Sequence, residues 1–346
     1  MTAISMLLTL AVAQGAPKAA VVPPAFSIKL VRELQGLRPL AYAPASTGTR
    51  VAVTLEDRSV RIIDIKTCQT LKTFQGHPQP AYAVAWSDDG QFLATGDESG
   101  RIFIWDTITG QKKSMIYGDH QRGIQKLSFN HPRTLLISTG KDDKIDVWSF
   151  PSGKKVGEVL GKGANLYSGV FNPLTDNFIA ATLTVSSRVY RETGTGPKTV
   201  GFLTSPDPQG ALDINWNKAG TMIITGEKSG NAVIYDGKVW KKQGTLKGHG
   251  DFVTSVGFSP NGKYAVTASP DRTVRVWEPK SLKQVAMLEN QSAVGSPLAF
   301  TADGKFLLTV GVDDYMQVYS VTDSGAQEMK TPVKKAAAKS KRKGRG

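Results

Sequence analysis

The chain has 346 residues, 40% of them hydrophobic, and a formal net charge of +14 at pH 7. That length and apolar share exclude wholesale disorder and leave room for a large single β architecture. One cysteine, Cys68, excludes an internal disulfide and any zinc site built from several thiolates, while eight basic residues and no acidic ones between Lys330 and Gly346 leave the body of the chain only modestly basic at +6.

The chain begins MTAISMLLTLAVAQGAPKAA, with an apolar run from Met6 to Ala13 that closes on the small-x-small site Ala11-Val12-Ala13. Residues 1–20 therefore read as a secretory signal peptide cut after Ala13 or Ala16, or else as a disordered leading segment. The run has no Lys or Arg ahead of it and is too short to anchor in a bilayer. The signal reading implies a periplasmic or secreted protein; the other leaves a cytoplasmic or nuclear one.

From residue 27 to 321 the chain repeats itself. The stretches SVRIID, RIFIWD, KIDVWS, SSRVYR, NAVIYD, TVRVWE and YMQVYS share one pattern, and their bulky residues are Ile63, Trp105, Trp148, Tyr190, Tyr235, Trp277 and Tyr319. The steps between them are 42, 43, 42, 45, 42 and 42 residues. A period of this size predicts a propeller or an array. Aliphatic residues one and three places before the bulky one, such as Val276 and Val274, give the period of two of a strand with a buried face. Turn signals at Asp88-Asp89-Gly90, Pro260-Asn261-Gly262 and Asp303-Gly304 fit a meander of four short strands per unit. The predicted fold is all-β: a seven-bladed propeller of four-stranded antiparallel blades. Six outer strands follow their motifs directly. Lys29–Leu34, KLVREL, is expected to supply the seventh and so close the ring, with Ala326–Thr331 as the rival.

These units resemble the WD-repeat family of β-propellers. The likeness is carried by Gly76-His77, Gly248-His249, Asp119-His120 and Trp105-Asp106, by nine residues from His77 to Trp86, His120 to Phe129 and His249 to Phe258, and by twenty-two from His120 to Asp142 and from His249 to Asp271. It implies a buried hydrogen-bond chain of turn Asp, strand Ser or Thr, His and Trp. By position this is Asp271, Ser269, His249 and Trp277 in the sixth unit, and His120, Asp142 and Trp148 in the third, where Gly140 falls in the place of Ser269. A buried carboxylate and imidazole need such partners, because an unsatisfied buried polar group costs about 1–3 kcal/mol. The second unit keeps His77 and Trp105 but has Ser99 in the turn, and the fourth has Lys162, Thr184 and Tyr190 instead. A catalytic His–Asp pair is disfavoured, since no nucleophile recurs at a fixed offset.

The resemblance also implies that the narrower top rim binds peptides or protein loops. The rim residues fall four places before the aromatic that ends each SVGF-type strand: Arg38, Tyr82, Gln125, Tyr167, Leu212, Thr254 and Ser296, joined by Phe252. Tyr, Phe and Arg are the types that dominate interface hot spots.

Residues 322–346 are expected to be a disordered basic tail. Lys334, Lys335, Lys339, Lys341, Arg342, Lys343 and Arg345 would hold a polyanion, whether nucleic acid, an anionic membrane or a cell-wall polymer. No Walker loop, HExxH, G-x-S-x-G or cysteine cluster is present. The sequence therefore predicts a non-enzymatic, monomeric scaffold for a protein or peptide partner, with no metal, cofactor, small-molecule substrate or membrane span.

Overall fold

The computed structural model describes residues 26–323 other than 119, 164–165, 185 and 293–296. The segment 1–25, Ser296, the rival outer strand Ala326–Thr331 and the tail beyond Asp323 lie outside the described residues; Thr322 and Asp323, at the start of the expected tail, belong to a strand. By internal contacts Ser27–Thr322 form one unit.

Strand follows strand because the short apolar-alternating stretches are separated by residues that enter a left-handed backbone cheaply. Gly90, Gly220, Gly262 and Gly304 sit in the first hairpin turn of their blades with φ of 63 to 71°. The described strands form seven four-stranded antiparallel sheets. In the second blade the order runs from Ala81–Trp86, innermost, through Phe92–Asp97 and Arg101–Asp106 to Lys112–Tyr117 at the outside. Blades one, three, four, five and six repeat that order.

The seventh blade is assembled from both ends of the chain. Ala299–Phe300, Phe306–Val310 and Met316–Asp323 are joined on the outside by Phe26–Leu34. The N-terminal strand thus closes the ring, as its KLVREL pattern predicts. A core of Val51, Val53 and Ile63 from blade one against Leu308, Met316 and Val318 from blade seven seals the junction. Equivalent apolar layers fill the other gaps, with Ile102 and Ile104 meeting Leu127, Leu136 and Trp148 between blades two and three. These side chains are almost wholly removed from water, which stabilises the ring by roughly 25 cal/mol per Å² of apolar surface. Among the described residues no helix is long and apolar enough to cross a membrane.

Candidate functional site

Two polar features stand out from this apolar frame: networks buried within the blades, and the mouth of the central channel. In blade six His249 Nδ1 lies 2.9 Å from Asp271 Oδ2, and its Nε2 lies 2.7 Å from Thr267 Oγ1. Trp277 Nε1–H donates to the same Oγ1 at 2.9 Å. Blade three repeats this with His120, Asp142, Ser138 and Trp148, at 2.9, 2.8 and 2.8 Å. Blade two repeats it with His77, Asp97, Thr95 and Trp105, at 3.1, 2.6 and 2.7 Å.

All donors can be oriented in one direction. The indole N–H donates to the hydroxyl, the hydroxyl donates to imidazole Nε2, and Nδ1–H donates to the carboxylate. Only a hydroxyl both accepts and donates at the middle position, which is why Ser or Thr stands there. The arrangement requires a neutral imidazole, and burial does lower the His249 pKa despite the opposing Asp271. Burial pushes the Asp271 carboxyl up, but bonds from Thr273, Gly250 N–H and His249 outweigh it and hold it at about 2.

The structure corrects the sequence reading at this middle position. Thr267, not Ser269, joins His249 to Trp277. Trp277 is directly opposite Ala265, and a long aromatic reaches the diagonal neighbour two residues on, which is Thr267; Ser269 is four residues on. Ser269 Oγ instead donates to Asp251 O and accepts from Asp271 N–H, bracing the turn. The third blade is complete, since Ser138 rather than Gly140 holds the place. The second is complete as well, because Asp97 at the strand end replaces the turn carboxylate. The missed signal was a constant interval: ten residues separate Thr95 from Trp105, Ser138 from Trp148 and Thr267 from Trp277.

A hydroxyl beside a His–Asp pair has the composition of a nucleophilic triad. Thr95, Ser138 and Thr267 are all 0% exposed, however, and each oxygen already accepts an indole N–H. No reactant reaches them, so these networks are structural.

The channel mouth is built differently. In five blades the innermost strand carries a β-bulge, between Pro39 and Ala41, Ala81 and Ala83, Ile124 and Lys126, Leu166 and Ser168, and Ala211 and Asp213. The residue left without a partner is Leu40, Tyr82, Gln125, Tyr167 or Leu212. A bulge frees a residue from the ladder and re-aims its side chain. All five line one cavity of about 370 Å³, together with Thr254 of blade six. Tyr82 and Tyr167 remain 38% and 36% exposed, and neither hydroxyl has a hydrogen-bond partner among the described residues.

Arg38 does not hold a mouth position. Tyr42 resembles the aromatic that ends the inner strand, but in register Pro44 is the counterpart of Trp86, so Leu40 is the counterpart of Tyr82. Arg38 lies two residues earlier, paired with Glu56 at 3.6 Å and with its guanidinium 5.9 Å from the Tyr315 ring. Phe252 is 45% exposed but does not line the cavity.

Below the bulge residues runs a second tier. Lys126 Nζ donates to Asp213 Oδ1 at 3.0 Å, reaching past blade four, where Ser168 Oγ donates to the same oxygen at 2.8 Å. Val256 N–H donates to Asp213 Oδ2 at 3.0 Å. Among the described residues no group of three or more His, Cys, Asp or Glu stands ready for a metal ion.

A family model described as WD domain, G-beta repeat, matches residues 68–106 and 240–278. Those two stretches contain all four residues of the networks of blades two and six. Actin-interacting protein 1 of Drosophila melanogaster is 23% identical over 311 residues, covering 86% of this chain and 43% of the relative. WD repeat-containing protein srw1 of Schizosaccharomyces pombe is 25% identical over 233 residues, 67% of this chain and 41% of its own length. Protein FIZZY-RELATED 1 of Arabidopsis thaliana is 27% identical over 239 residues, with 67% and 49% covered. The chain therefore spans about half, or less, of the length of these curated relatives. With seven four-stranded blades, three complete Asp–His–Ser/Thr–Trp networks and the matched repeats, the chain is a seven-bladed β-propeller that carries WD repeats.

Proposed function

We propose that the protein is a non-catalytic scaffold that binds a protein or peptide segment across the top mouth of its channel. The observation that carries this reading is the ring of bulge residues. Five blades give up a ladder position to turn Leu40, Tyr82, Gln125, Tyr167 and Leu212 into one cavity. A concave, mostly apolar site with two tyrosines and a few polar groups is the usual form of a recognition surface. The name of one relative, actin-interacting protein 1, records a protein partner for that relative.

The test compares the intact chain with a Tyr82→Ala, Tyr167→Ala, Leu212→Ala triple variant in pull-down from the cells that make the protein. The expected result is loss of the native partner with the fold intact. Retention of every partner at unchanged affinity overturns the assignment.

Composition favours a second role for the tail. Between Lys330 and Gly346 it has eight basic residues and no acidic or aromatic one, which suits electrostatic attachment to a polyanion without sequence-specific reading. Deleting residues 334–346 should then abolish salt-sensitive binding to DNA or anionic vesicles, and unchanged binding contradicts this role.

A further inference from the structure

The second tier of the mouth is divided by chemistry. At the level just below the bulges, blades seven, one and two present Pro297, Ala41 and Ala83, all small and apolar. Blades three to six present Lys126, Ser168, Asp213 and Ser255 at the same level. The cavity thus has an apolar half, roofed by Leu40 and Tyr82, and a polar half.

Within the polar half the hydrogen-bonding capacity is spent unevenly. Both oxygens of Asp213 are engaged, Oδ1 by Lys126 Nζ and Ser168 Oγ, Oδ2 by Val256 N–H, and its side chain is only 10% exposed. Lys126 Nζ makes a single bond among the described residues, to Asp213, and its side chain is 31% exposed. Two of its three ammonium protons are therefore unspent. The other charged group lining the cavity among the described residues is Lys141, 5.2 Å from the Tyr82 ring centroid and 42% exposed, with Glu98 as its carboxylate neighbour at 3.2 Å. A cation entering the mouth finds Asp213 largely spent, with three hydrogen bonds among the described residues and a side chain only 10% exposed, and meets two ammonium groups. An anion finds unspent donors in a partly desolvated site, where a charge-assisted hydrogen bond is stronger than in open water.

We propose that the mouth selects an extended peptide segment bearing an Asp or Glu side chain beside an aliphatic or aromatic one. The carboxylate accepts from Lys126 Nζ, and the neighbouring apolar side chain packs on Ala41 and Ala83 beneath Leu40 and Tyr82. Asp213 tunes this preference by neutralising part of the Lys126 charge while holding the amine in place. The inference rests on the reading of the mouth as a peptide site, and adds the chemistry of the peptide.

Selection of a randomised peptide library, displayed with fixed flanks so that no free carboxyl terminus is presented, on the intact chain tests it. The expected pool is enriched in Asp or Glu next to an apolar residue. A selected peptide should bind the Lys126→Gln variant about tenfold more weakly, the loss of one charge-assisted bond. It should bind Asp213→Asn more tightly, because that near-isosteric change removes the competing negative charge. The Lys126→Gln, Asp213→Asn double variant keeps a neutral hydrogen-bonded pair, so it reads the charge effect even where the single glutamine variant folds poorly. Its expected pool loses the acidic preference and keeps the apolar one. A wild-type pool with no acidic enrichment, or one rich in Lys and Arg, overturns the inference while leaving the mouth a peptide site. A pool whose binding is indifferent to Tyr82→Ala and Tyr167→Ala overturns the mouth reading itself, and this inference with it.

Discussion

Blades two and five place a carboxylate at the same point of the same strand and treat it in opposite ways. Asp97 closes its second strand in blade two, Glu227 in blade five, and both are 0% exposed. Burial pushes both carboxyls up. For Asp97 the bonds from His77, Ser99 and Arg101 N–H outweigh that push, and the net shift is downward. Glu227 has no histidine beside it. Ser205 and Thr225 hydroxyls donate to its two oxygens, Asp207 lies nearby with like charge, and the net shift is upward. The difference teaches that the imidazole, not the carboxylate, decides whether a blade's polar centre is stable when ionised. It also shows how degenerate repeats survive. Blade one replaces the hydroxyl and the indole together by Val53 and Ile63, and blade four by Ala180 and Tyr190, so no half-satisfied network is left.

The strongest way to break a complete network is at its middle. Thr267→Val strands both His249 Nε2 and Trp277 Nε1 without a partner, and should cost about 3 kcal/mol in urea unfolding from two buried unsatisfied groups. Ser269→Ala, which loses only two turn bonds, should cost about 1 kcal/mol. Equal costs for the two variants would return Ser269 to the centre of the network.

Acid sharpens the comparison between blade types. Asp271 is held at about 2, below its unfolded value near 4, so its contribution is present above pH 4 and is lost as pH falls toward 2. The lowered His249 pKa acts in the same sense, weakening the fold as pH drops below the ordinary histidine value. Glu227 has the opposite sign. Its raised pKa means that its contribution is fully present below the unfolded value and is lost as pH rises through the folded one. Glu227→Gln should therefore gain on the order of 1 kcal/mol at pH 7 and nothing at pH 4, read from urea midpoints at the two pH values. A gain that is independent of pH would refute the sign assigned to Glu227.

The smallest expected effect lies at the mouth. Tyr82→Ala and Tyr167→Ala remove partly exposed, unbonded side chains, and each should change stability by no more than about 0.5 kcal/mol. Calorimetry checks this, and a drop of several degrees in melting temperature would make them packing residues.

How much of this was legible before the structure depends on which spacing carried it. The period of about 42 residues and the two-residue alternation made the blades, their number and the closing strand readable, because both follow from backbone geometry. The twenty-two-residue interval from His to turn Asp found Asp142 and Asp271. It missed Asp97, twenty residues after His77, because the carboxylate has two backbone positions from which to reach the same nitrogen. Thr267 was hidden behind Ser269 because both face the same side of one strand, and only cross-strand register separates them. Counting back from an aromatic points to Arg38 rather than Leu40, because Pro44 occupies the place of the strand-ending aromatic in blade one. The bulges themselves leave no residue signature, and the pairing of Lys126 with Asp213 joins blades three and five, 87 positions apart, which no repeat-based comparison reveals.

A scaffold of the kind proposed needs its partner to sit at the mouth. A photo-activated benzoylphenylalanine placed at Tyr82 in one version of the chain, and at the 57% exposed Phe202 on the outer wall of blade four in another, tests this in the cells that make the protein. The expected result is a discrete adduct from position 82 that disappears with Tyr167→Ala, and none from position 202. An adduct from position 202 with none from position 82 would contradict it.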